Sequence, residues 1–153
     1  MRTRKFFDYN DKYPTCKRTY ATLCIYLPDT IQPNTLSEKL GVQPSRTQVK
    51  GEVRKGKIKQ WPTAWFLESQ GKVKSKDVRR HIDWLLNQLE GKSEIIKQLQ
   101  STDVQMHISC FWASAVGHGG PMLDATLLKQ LSEVNLGIAF DIYFEGNEKA
   151  VLP

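Results

Sequence analysis

The chain has 153 residues, 40% hydrophobic and 25% charged, which is ordinary globular composition with enough length for a real core. No apolar run approaches a membrane span, and the basic start MRTRKFFDYNDKYP lacks the apolar stretch of a signal peptide, so membrane and secreted classes are not expected. The formal charge of +6 is uneven: residues 1–80 hold eighteen Lys and Arg against seven Asp and Glu, residues 81–153 four against nine. Cys16, Cys24 and Cys110 are odd in number and show no CxxC spacing. Neither a disulfide framework nor a metal site is indicated, and three reduced thiols in a cytoplasmic protein are expected.

In chain order, residues 1–18 have no clear period and read as an irregular or partly mobile leader. A single α+β domain over 19–145 and a short polar tail over 146–153 are expected. Tyr20 to Leu27 is a strand by its β-branched and aromatic content, with Ala21, Leu23, Ile25 and Leu27 on one face and Tyr20, Thr22, Cys24 and Tyr26 on the other. A short helix capped by Asn34 or Thr35 runs to Leu40 and closes at Gly41. The densest basic segment follows, Arg46 to Lys59, with Gly51 and Gly56 as turn points of a ragged hairpin. Such a segment suits an anionic partner, or is simply a solvated hairpin. Ala64 to Ser69 is a second core strand.

The clearest helix is Ser75 to Leu89. Val78, Ile82, Leu85, Leu86 and Leu89 form one apolar face, Ser75 is read as the N-cap, and Gly91 follows the last turn. A second stripe, Asp77, His81, Trp84 and Gln88, reads as the flank where buried face meets solvent. A further helix starts with Ser93 as its cap, with Ile95, Ile96 and Leu99 on one face. Val104 to Trp112 is a strand, Asp124 to Ser132 a helix, and Gly137 to Phe144 the last strand. TLSEKLGV at 35–42 loosely echoes TLLKQLSEVNLGI at 126–138. That echo suggests two related βαβ-type units with a helical segment between them, a ferredoxin-like two-layer sandwich on a mostly antiparallel sheet. Strand parity puts Tyr20, Tyr26, His107, Phe111, Asp141 and Tyr143 on the face away from the helices.

His107, Ser109 and Asp141 invite a triad reading, but Ser109 is mid-strand without a GxSxG elbow, so a polar sheet face is expected. Gly117-His118-Gly119-Gly120 lies between a strand and a helix but lacks the spacing of a phosphate loop, and Pro121 removes an N–H, so it reads as a flexible turn at a pocket rim. His81, His107 and His118 show no HxH or HExxH spacing, and no cofactor is implied. Trp65 and Trp112 read as core; Trp84, off its helix's apolar stripe, reads as a pocket wall.

GVQPSRTQVKG at 41–51, GKVKSKDVRRHIDWLLNQL at 71–89, ISCFWASAVGHGG at 108–120 and LGIAFDIYF at 136–144 agree in order and spacing with a known family. Over roughly residues 19 to 145 the chain resembles a family of small bacterial proteins catalogued as a domain of unknown function, number 4279 in that series. The resemblance implies a bacterial, soluble, single-domain protein and carries over no activity.

Three functions are weighed. The first is a non-enzymatic binding domain for a protein partner such as a toxin, or for a small ligand. Its pocket would be built from Arg46, Trp65, Asp77, His81, Trp84, Trp112 and the His118, Gly119, Gly120 turn. The alternative is nucleic-acid binding through Lys50, Arg54, Lys55, Lys57 and Lys59, with Tyr20, Tyr26 and Tyr143 as stacking groups on an open sheet. The third is an unrecognised enzyme.

Overall fold

The computed structural model describes residues 9–144. Its elements in chain order are β1 (Cys16–Tyr26), α1 (Pro33–Leu40), β2 (Arg46–Gln48), β3 (Val53–Arg54), β4 (Lys57–Ile58), β5 (Ala64–Glu68), α2 (Val78–Gln88), α3 (Ser93–Gln100), β6 (Gln105–Ser114), α4 (Ala125–Glu133) and β7 (Gly137–Tyr143). The fold is α+β. A five-stranded mixed sheet runs in the order β2-β5-β1-β6-β7, and β3 and β4 form a separate two-stranded hairpin.

The long strand β1 sits in the middle, antiparallel to β5 and to β6, while β7 lies parallel to β6. The paired units suggested by the repeated sequence are met in one half only. β6, α4 and β7 make a βαβ crossover, which parallel neighbours require. β1 and β5 are antiparallel neighbours, so the first half is no such unit and a ferredoxin-like layout is not confirmed.

Alternation along the strands decides the two faces. Leu23 and Ile25 of β1, Trp65 of β5 and Ile108 of β6 are wholly buried beneath the helices, with Leu36, Ile82, Leu85, Ile96 and Leu127 packed on them. The apolar face of α2 is as expected: Val78, Ile82, Leu85, Leu86 and Leu89 all join this core. Tyr20, Tyr26, His107, Phe111, Asp141 and Tyr143 lie on the other face, which no helix among the described residues covers.

Several boundaries move. β1 begins at Cys16, not Tyr20, and β6 runs on to Ser114 beside it, so the two strands lengthen together. The cap of α1 is Gln32 without a side-chain bond, and Pro33 opens the helix in place of a cap at Asn34 or Thr35. α3 is preceded by Lys92, with Ser93 as its first residue. α2 starts at Val78, three residues later than the sequence reading, and its cap is Asp77, whose carboxylate accepts from Arg79 N. Ser75 has another task. Its Oγ accepts from Asp77 N and donates to Asp11 Oδ1 at 2.6 Å.

Asp11 belongs to a strap, residues 9–15, that precedes β1. Tyr9 donates to Asp83 at 2.6 Å, Asn10 N donates to Asp77 Oδ2 at 2.7 Å, and Arg80 donates to Asp11 at 2.8 Å. Tyr13 stands edge-on to Trp112. The stretch between residues 9 and 15 is irregular, and α2 and its cap hold it at three points.

Candidate functional site

The face left open by the helices carries two aromatic ridges that cross the strands. In the first, Tyr20 stacks on Phe111 with ring centres 5.0 Å apart, and Phe111 meets Tyr143 at 5.2 Å. The Arg18 guanidinium sits 4.8 Å over the Phe111 ring. In the second, Tyr26 stacks on His107 at 6.0 Å and meets Phe66 edge-on at 6.1 Å, and Arg46 lies 3.9 Å over Phe66. Both ridges follow from register: Tyr20 is opposite Phe111, Cys24 is opposite both His107 and Phe66, and Arg46 is opposite Phe66. On β6 the ridges stand four residues apart, roughly 13 Å at the usual rise of a strand.

Between the ridges lies a trough of about 520 Å³, floored by the short side chains of Thr22, Cys24 and Ser109. Glu68 and Asp141 add carboxylates to its lining, and Arg46 a cation. The Arg46–Glu68 pair at 3.4 Å is largely exposed and contributes little to stability. Burial pushes the Tyr20 and Tyr26 phenols above their usual range, so both remain donors at neutral pH. Their hydroxyls, and those of Thr22 and Ser109, have no side-chain hydrogen-bond partner among the described residues.

No nucleophile in the trough is activated. Burial raises the Cys24 thiol to about 11, so it is not a thiolate near neutrality. His107 stacks on Tyr26 and makes no hydrogen bond to Ser109 or Asp141. The three residues weighed as a triad share the face as separate surface groups. Among the described residues no three of His, Cys, Asp or Glu gather as a metal site would.

The basic hairpin rises from one end of this trough. Gln48 and Pro62, which line the trough, are at its two roots, and Gln48 Nε2 donates to Pro62 O at 2.8 Å. Lys55 and Gly56 take positive φ at its tip, the backbone a tight two-residue hairpin turn demands. Trp61 fixes the base: its Nε1 donates to Glu52 Oε1 at 3.1 Å, and Arg54 and Lys59 lie over its ring at 5.3 and 5.1 Å. Val53 and Ile58 are 64% exposed, so the arm stands clear of the core. Lys50 is at its start, with its backbone N donating to Thr63 Oγ1.

The pocket expected around Trp84 is not gathered. Arg46 is on the open face. Trp65 and Trp112 are wholly buried on the helix side, where Trp65 Nε1 donates to Ser37 Oγ at 2.9 Å. Asp77 and His81, read as a solvent flank, are each 1% exposed. Asp77 is the cap of α2 and holds Arg79, which also reaches Asp124 at 2.9 Å. His81 Nε2 donates to Ser75 O at 2.8 Å. A carbonyl only accepts, so Nδ1 carries the lone pair that receives Ser69 OH at 2.7 Å. Ser69 Oγ in turn accepts from Ala21 N, which ties the helix to the central strand. Burial holds the His81 pKa below its usual range.

The 117–120 turn packs against the strap. Ser114 donates to His118 O, Tyr13 donates to Gly120 O, and a Cβ on Gly119 would come within 2.5 Å of Thr15. Trp84 lines a cleft of about 480 Å³ shared with Tyr9, Lys72, Lys74, Arg80 and Asp83, apart from the trough that Arg46 lines.

Of the trough residues, Phe66 and Glu68 were missed in the sequence, as was Arg18 over the Phe111 ring. Phe66 and Glu68 share parity within a strand that was recognised, and that was the available signal.

A family model described as a domain of unknown function (DUF4279) matches residues 16–145. No curated protein matches the chain, and no solved structure does. No helix among the described residues is long and apolar enough to cross a membrane.

Proposed function

Taking as premise that the chain belongs to the family described as a domain of unknown function (DUF4279), we propose that it is a non-enzymatic, cytoplasmic binding module whose ligand lies on the open face of the sheet. One observation carries this reading: a trough of about 520 Å³ with aromatic walls and four hydroxyls without side-chain partners among the described residues. Ligand sites combine apolar walls with a few convergent polar groups in this way. An aromatic face held half-open has a cost in apolar exposure that the fold could have avoided by covering it. The raised Cys24 thiol, and His107 stacked on Tyr26 without a hydrogen bond to Ser109 or Asp141, support binding over catalysis. Three buried, unpaired cysteines support a reducing compartment.

The test is a screen of small fragments (nucleosides, sugars, indoles and short peptides) read by amide chemical shifts of the full chain. Perturbations are expected to converge on Thr22, Tyr26, Ser109 and Phe111. Convergence on the Trp84 cleft, or no convergence anywhere, would sink the reading.

A further inference from the structure

We infer that the occupant of this face is single-stranded nucleic acid, with bases against the aromatic ridges and phosphates along the β3–β4 arm. The inference rests on the open-face reading and adds the class of ligand. Charge complementarity and the geometry of the face carry it together.

The trough is polarised. At the β2–β5 end stand Arg46 and the arm with Arg54, Lys55, Lys57 and Lys59, and Gln48 and Pro62 join that arm to the trough wall. At the opposite end Asp141 of β7 faces Phe111 across the pairing. A polyanion is drawn more strongly to the first end, since at the second the Asp141 carboxylate stands beside the Arg18 cation over Phe111. Two carboxylates near the cations are paired, Glu68 with Arg46 at 3.4 Å and Glu52 with Arg54 at 3.2 Å. An anionic ligand without rings would use the arm alone, and a neutral aromatic ligand would use the ridges alone. Single-stranded nucleic acid presents a phosphate line and planar rings side by side, and proteins that bind it combine a basic path with aromatic stacking groups.

A duplex fits less well, because its bases are already stacked and cannot reach rings spaced across a sheet. The aromatic groups are Tyr, Phe and His, and the guanidinium carbons of Arg18 and Arg46 lie 4.8 and 3.9 Å over two of them, which adds cation–π contact to the same face. Asp141 can accept from the exocyclic amine of cytosine, so a preference at that end is expected while the phosphate contacts are indifferent to sequence.

The experiment uses the full chain and fluorescein-labelled twelve-nucleotide oligomers, one DNA and one RNA of mixed sequence, with the DNA duplex as control. Anisotropy is measured from about 50 to 200 mM salt, the range over which phosphate contacts change affinity most visibly. Binding of a single strand tighter than the duplex is expected. The triple substitution Lys55→Gln, Lys57→Gln, Lys59→Gln is expected to weaken all sequences alike and to reduce the salt slope by roughly 0.7 for each phosphate no longer neutralised. Phe111→Leu keeps an apolar side chain in place and removes the ring. With Tyr20→Leu it is expected to weaken binding roughly ten- to hundredfold and leave the salt slope unchanged. Circular dichroism confirms that both variants fold.

Equal affinity for single strand and duplex, or indifference to the ring substitutions, would overturn the inference, since cations alone then explain the binding. Absence of oligomer binding at 50 mM salt overturns it too, while fragment shifts on the open face would leave the parent reading standing. Oligomer-induced shifts confined to the Trp84 cleft would defeat both.

Discussion

The two faces of the central sheet are built from the same strands and do opposite things. On β1, Leu23 and Ile25 turn under the helices and are wholly buried, while Tyr20 and Tyr26 turn outward and stay half-open. Polar groups on the helix side are closed into chains: Ala21 N to Ser69, Ser69 to His81, His81 to the carbonyl of Ser75. On the outer face the hydroxyls of Tyr20, Thr22, Tyr26 and Ser109 find no such partners among the described residues. A polar group that is buried and partnered fixes the fold; one held at a surface without a partner is free to recognise something else. The alternation therefore separates the residues that keep the protein folded from those available for a ligand.

The separation is broken most severely at Asp77. It caps α2, receives Asn10 of the strap and neutralises Arg79, all while buried. Asp77→Ala takes from a buried guanidinium the carboxylate that holds it at 2.7 Å, and a loss of about 3–5 kcal/mol is expected, the range for breaking a buried pair. Urea unfolding measures it; a loss below about 1 kcal/mol would mean that the strap and cap hold little. Next is Leu85, wholly buried on the apolar face of α2. Leu85→Ala is expected to cost about 2–5 kcal/mol through lost transfer energy and the cavity left behind. An unchanged denaturant midpoint would remove the helix side as the source of stability.

The outer face should respond far less. Phe111→Ala removes one stacked partner of Tyr20 and one of Tyr143, and a loss of about 0.5–1.5 kcal/mol is expected from the ring pairing. If it matched Leu85→Ala, the outer face would be a second core and the comparison would fail. The smallest effect is a slope with pH. Burial lowers the His81 pKa in the folded chain, so the unfolded chain takes up the proton first as pH falls. The contribution is fully present above the ordinary value of about 6.5 and is lost as pH falls toward the folded value. Asp11, also lowered, acts in a separate window, below 3.8. Midpoints in urea from pH 7.5 to 5 should decline in the wild type, and His81→Gln should remove its share of that decline. Parallel curves for the two proteins would show that His81 is not the proton acceptor.

Local pattern carried much of the fold. The period of 3.6 from Val78 to Leu89 and the alternation in Tyr20–Tyr26 and Val104–Trp112 name the buried faces because burial must match the repeat of the backbone. Trp65 and Trp112 were legible as core for the same reason. His81 and Asp77 were misplaced because helical spacing shows that two residues share a flank but not what packs on it. Here Asn10 of the strap, 67 positions away in sequence, closes on Asp77, and His81 is held between Ser69 and Ser75.

By itself, then, the sequence determined which residues could form each helix and strand and which side of each would be apolar, since those follow from repeat lengths of a few residues. Only the tertiary structure decided the order β2-β5-β1-β6-β7. That order sets Phe66 and Arg46 beside Tyr26, and Phe111 beside both Tyr20 and Tyr143. It also places the basic arm at the end of the trough they wall, because pairing between distant strands is chosen by the packing of the whole helix-covered face and by nothing local to either strand.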